Sequence, residues 1–95
     1  MAGDEDAGKG VSYEHLHRRA RELIAAGELP RRAPDNIFAG YGADQACALC
    51  AALINAREIE YELEFVSADA TPAKRLYWLH LACHAIWDYE RVRTP

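Results

Sequence analysis

The stretch Glu58-Ile59-Glu60-Tyr61-Glu62-Leu63-Glu64-Phe65-Val66 alternates strictly between acidic and apolar residues. A period of two places successive side chains on opposite faces of a β-strand, so Ile59, Tyr61, Leu63 and Phe65 are expected inside and the glutamates in water. Four like charges on one face repel, and cations across a sheet relieve them. Lys74 and Arg75 follow at a suitable distance. Ser67 to Pro72 reads as a hairpin connection, with Arg75 to Leu79 as the returning strand.

Helices flank this antiparallel hairpin. Ser12 is a good N-cap, Glu14 suits the positive end of a helix dipole, and Leu16, Ala20, Leu23 and Ile24 form an apolar stripe. Gly27 supplies a left-handed cap and Pro30 stops the helix, which is expected over 12–27. Its other face, with His17, Arg18, Arg21 and Glu22, is expected to be wet. Leu81 to Arg93 reads as a second helix, with Ala82, Ile86 and Tyr89 on its apolar face and Cys83 and Trp87 beside them.

Between the first helix and the strand, residues 28–46 show neither period. Pro30, Pro34, Gly40 and Gly42 punctuate them, and they are expected to form a long loop. Ile37, Phe38 and Tyr41 lie within it. The first expectation is that they pin the loop over the first helix; the alternative is an exposed apolar patch that binds a partner.

Ninety-five residues are expected to make one small α+β domain over 12–95, preceded by an acidic, disordered tail over 1–11. The start carries Asp4, Glu5 and Asp6 where a secretory signal carries basic residues, and no run is long and apolar enough to span a bilayer. A cytoplasmic location is the expectation. Three cysteines are an odd number, and in a reducing compartment they are expected to be thiols. The net charge of −4 speaks against non-specific nucleic-acid binding, although Arg18, Arg19, Arg21, Arg31 and Arg32 cluster early.

Cys47-Ala48-Leu49-Cys50 is a C-x-x-C turn and His80-Leu81-Ala82-Cys83 an H-x-x-C pair, separated by 29 residues that contain the hairpin. Two cysteines at this spacing point into one turn, and residues i and i+3 at a helix start share a face. Cys47, Cys50, His80 and Cys83 thus offer the four soft or borderline ligands that a structural zinc takes tetrahedrally. Other uses remain open. The thiols can be small buried hydrophobes, with Ala51-Ala52-Leu53-Ile54 extending Cys47 to Ile54 as a helical turn. His84 competes with His80 as the imidazole, and redox chemistry lacks the βαβ setting of thioredoxin-type sites.

The layout of cysteine turn, hairpin and ligand-bearing helix start resembles the treble-clef zinc finger over about half the chain, from Ala46 to Arg91. More widely, Gly27-Glu28-Leu29-Pro30, the C-x-x-C turn, the alternating strand, His80-x-x-Cys83 and Trp87 with Glu90-Arg91 look like a group of short bacterial proteins that carry no assigned activity. That resemblance implies a bacterial source and a treble-clef-like half over 47–93. It implies no reaction.

The chain contains no G-x-S-x-G, no phosphate-binding glycine loop and no H-E-x-x-H. The expected function is a small non-catalytic module that binds another protein, stabilised by one structural zinc. Its candidate surfaces are Ile37, Phe38 and Tyr41 with the acidic strand face. The rivals are a nucleic-acid-binding module built on the arginine cluster and a metal-free α+β domain.

Overall fold

The computed structural model describes residues 12–95; the expected acidic tail over 1–11 lies outside them. Its elements run α1 (Tyr13–Ala25), β1 (Asn36–Tyr41), β2 (Gln45–Ala46), β3 (Leu53–Ile54), β4 (Ile59–Val66), β5 (Lys74–His80) and α2 (Leu81–Arg91). The fold is α+β, with antiparallel sheets between two helices.

Local chemistry starts and stops α1 where the caps demand. Ser12 accepts a hydrogen bond from the His15 N–H, and Gly27 takes a φ of +78° just beyond the helix, a conformation glycine adopts without a Cβ penalty. Leu16, Ala20 and Ile24 are buried and face α2 across the core. The opposite face is less uniformly wet than expected. His17 is half-buried, with its Nδ1 2.7 Å from Glu90 Oε2. Arg21 donates to the same oxygen at 3.2 Å. A buried carboxylate in α2 thereby clasps the two helices.

The largest departure lies in residues 28–46, expected as a loop. Asn36–Tyr41 is β1, an edge strand of a three-stranded sheet in the order β1-β4-β5. Asn36 stands opposite Glu64 and Tyr41 opposite Ile59. All six of its residues are exposed, so no inside-outside alternation marks the segment. Backbone pairing, not burial, makes it a strand. Ile37, Phe38 and Tyr41 therefore do not pin a loop to α1. They stand on β1 at 50%, 53% and 73% exposure.

β4 is the central strand, not half of an isolated hairpin. Leu63 and Phe65 are buried beneath α2, whose Trp87 meets Phe65 edge-on at 6.3 Å. Tyr61 stacks at 4.5 Å on His84, near the start of α2. Ile59 lies one register further out, past the cover of the helix, and is 37% exposed. The apolar face is thus buried in its second half only. On the acidic face Lys74 reaches Glu64 at 3.1 Å, as expected, while Arg75 lies on the other face over the Tyr77 ring at 5.9 Å.

Candidate metal centre

The Cys47–Cys50 turn is closed by backbone hydrogen bonds. Ala51 N–H donates to Cys47 O at 2.9 Å, and Cys47 N–H donates to Ala52 O at 2.8 Å. This reversal requires a positive φ after the second cysteine, and Ala51 adopts +71°. Cys47 to Ile54 is therefore not a helical turn. β2 and β3 pair across it, Gln45 with Ile54 and Ala46 with Leu53. Ala51 bears the conformation that a glycine takes more readily. A true glycine is needed upstream, at Gly42, where a Cβ would lie 2.3 Å from the backbone oxygens of Ile54 and Asn55.

Three ties position the turn. Leu49 and Ile54 are fully buried and anchor it in the core. Ala48 N–H donates to Trp78 O at 2.7 Å, fastening it to β5. Arg19 Nε donates to Leu49 O at 2.6 Å, fastening it to α1. The second pair needs less scaffolding. His80 ends β5 and is the N-cap of α2. Cys83 sits three residues on, within the first turn, so both point to one side.

The ligand atoms of Cys47, Cys50, His80 and Cys83 all lie within 4.8 Å of one another. Tetrahedral zinc with thiolates at 2.3 Å separates its sulfurs by about 3.8 Å, so the four groups enclose a space of the right size. Cys47 and Cys83 are buried, Cys50 and His80 half-buried, and all three cysteines are free thiols. The arrangement is compatible with a bound metal ion such as zinc.

The electrostatics favour a cation. The Cys83 thiol, hydrogen-bonded to Cys47, and nearby backbone N–H groups hold the Cys47 thiol well below its ordinary range against the effect of burial. The same hydrogen bond, burial and the Cys47 charge push Cys83 up. Burial, joined by the neighbouring Cys47 charge, raises Cys50. The three thiols therefore resist ionising together, because thiolates at this separation repel strongly. A divalent ion relieves that repulsion and lets all three ionise.

His80 presents its two ring nitrogens to different neighbours. Nδ1 lies 3.4 Å from Cys50 Sγ, and Nε2 lies 3.3 Å from Glu58 Oε1. Burial lowers the imidazole's proton affinity, but Cys47 and Glu58 outweigh it and leave it raised. Nδ1 is thus the nitrogen aimed at the site. Glu58 is in turn held by the Asn55 N–H at 3.0 Å. Nothing in the spacing of the ligands marked Glu58; its place among the strand glutamates concealed it. His84 does not compete. It stacks between Tyr61 and Trp87, outside the tetrad, and burial lowers its pKa.

The early arginines do not assemble into one basic surface. Arg19 is tied to Leu49, Arg21 to Glu90, Arg31 to the carbonyls of Thr94 and Pro95, and Arg32 to Asp35 and Val66 O. Among the described residues no helix is long and apolar enough to cross a membrane. No family model, no curated protein and no solved structure matches this chain.

Proposed function

We propose that this chain is a small zinc-supported interaction module, in which a metal ion held by Cys47, Cys50, His80 and Cys83 stiffens a treble-clef-like half and β1 is offered to a partner protein. The convergence of two ligand pairs, 29 residues apart in sequence, on one space within 4.8 Å carries the reading. Buried thiols used as hydrophobic filler would need no imidazole aimed among them. Three thiols and a nitrogen suit zinc better than the oxygen-seeking cations. With four protein ligands, no coordination position is left for water or substrate, so the metal's role is structural and the module non-catalytic. Free thiols accord with a cytoplasmic setting, and the motif pattern with a bacterial source. Structural zinc contributes on the scale of ~10 kcal/mol in zinc-finger peptides, large against the stability a core of this size supplies.

The reading is tested by metal analysis. Protein expressed with zinc and purified without chelator should hold close to one equivalent, and cobalt should substitute with the charge-transfer absorption of thiolate ligands. Strong chelation should release amide protection from Cys47 to Cys50 and at the start of α2. His80→Ala should weaken the metal far more than His84→Ala. A fully ordered protein that binds neither ion would overturn it.

A further inference from the structure

Resting on the reading of β1 as the interaction edge, we propose that this strand takes up an extended segment of another protein in which basic and apolar residues alternate, with one Lys or Arg lying across Gly40 toward Glu60.

The backbone comes first. Gly42 N–H donates to Glu58 O at 2.9 Å, in register with the β1–β4 ladder. In an antiparallel ladder only alternate residues bond inward, so Phe38 and Gly40 also bond to β4. Ile37, Ala39 and Tyr41 then turn their N–H and C=O groups outward. Among the described residues no strand pairs with that side of β1. The edge carries no proline and no charged residue within Asn36–Tyr41, devices that commonly block strand addition. β5, the sheet's other edge, is partly closed by the bond from Ala48 to Trp78.

Charge then selects the occupant. Asn36, Phe38 and Gly40 share the acidic face with Glu64, Glu62 and Glu60, their cross-strand partners. Glu64 is matched by Lys74 and Asn36, and Glu62 accepts from Trp78 Nε1 at 3.2 Å. Glu60 is different. No described residue donates a hydrogen bond to its Oε1, and its cross-strand neighbour on β5 is His80, whose ring nitrogens are directed instead at Cys50 and Glu58. Gly40, directly opposite, is the one position of β1 on this face without a side chain, and a Cβ there would meet nothing within 4 Å. A strand added outside β1 can lay a long basic side chain through that gap. On the other face Ile37 and Tyr41 await apolar residues, which gives the segment its alternation. A second copy of this chain is the poorer fit, since its own β1 brings no cation to Glu60.

The probe is a six-residue peptide alternating lysine and valine, compared with one alternating threonine and valine. The lysine peptide should bind at least ten-fold tighter. Glu60→Gln should remove that difference, and Gly40→Val should also, by filling the gap; Glu14→Gln on α1 should leave it unchanged. Ala39→Pro removes an outward donor while sparing the ladder to β4, and should abolish binding of both peptides. Methylating alternate peptide nitrogens should do the same without altering the protein. Zinc content measured on each variant keeps failure of the metal site separate. Equal affinity for the two peptides would overturn the charge assignment but leave β1 as an interaction edge. Binding of neither, or binding indifferent to Ala39→Pro and to methylation, would overturn strand addition itself. So would a concentration-dependent dimer abolished by Ala39→Pro, which would assign the edge to a second copy.

Discussion

Removing Glu58 probes the centre without touching a ligand. Its Oε1 stands 3.3 Å from His80 Nε2, the nitrogen that faces away from the thiols. A carboxylate there accepts the Nε2–H, fixes the ring so that Nδ1 is the free donor, and makes that donor more basic. Loss of such outer partners typically costs 10- to 100-fold in metal affinity. The Glu58 side chain is 41% exposed and that of His80 17%, so solvent screens the charge and the low end applies. Glu58→Ala should therefore weaken zinc by about ten-fold, or ~1.4 kcal/mol. Glu58→Gln keeps an oxygen for Nε2–H and for the Asn55 N–H but loses the charge, and should cost only about two- to three-fold. Competition against a chromophoric chelator at fixed pH reads both, with His84→Ala as the unaffected control. Unchanged affinity in Glu58→Ala would refute the reasoning, because it would mean the ring binds without this support. A loss as large as that of His80→Ala would refute it too, since Glu58 would then be acting as a ligand.

Leu63 is 1% exposed at the centre of the sheet, and Leu63→Ala should destabilise by ~2–5 kcal/mol in denaturant titration; the exposed pair Phe38→Ser and Tyr41→Ser should leave the melting temperature nearly unchanged. Ala51 holds a φ of +71°, where β-branched residues are strained, so Ala51→Val should cost ~1–3 kcal/mol and Ala51→Gly should be neutral to mildly stabilising. A valine as stable as alanine would show that the turn is not held in that conformation. The Asp35 carboxyl is held below its ordinary value of 3.8, chiefly by the Val66 N–H. Its contribution is complete above that value and is lost as pH falls through the lower folded one, so Asp35→Asn should flatten the acid limb of the stability curve below pH 4.

Elements that bury one face can be read along the chain, because burial writes a period into composition. The stripe of Leu16, Ala20 and Ile24 stands where the residues placed it, as do the caps at Ser12 and Gly27, while the alternation of β4 is matched by burial at Leu63 and Phe65 but not at Ile59. The tetrad was legible for another reason: ligand pairs at turn and helix-start spacings are local, and only their meeting is not. What local pattern cannot encode is which backbone pairs with which. β1 is exposed on every residue, so nothing in Asn36 to Tyr41 distinguishes a strand from a loop until β4 supplies its hydrogen-bonding partners. Ala51 carries no mark of a left-handed conformation; the bonds that close the Cys47 turn impose it. Glu58 and Glu60 read as two more charges on a wet face, and only tertiary contacts tell them apart: Glu58 reaches His80 Nε2, while Glu60, set between Gly40 on β1 and His80 on β5, keeps an oxygen without a partner among the described residues. Residue type and spacing determined α1, the presence of α2, the strand at β4 and the candidate ligand set. They did not determine the buried face of α2, which is Cys83, Ile86, Trp87 and Glu90, while Ala82 and Tyr89 are exposed. Long-range pairing, whose free energy lies in contacts between segments distant in sequence, decided the edge strand, the orientation of the imidazole and the gap beside Glu60.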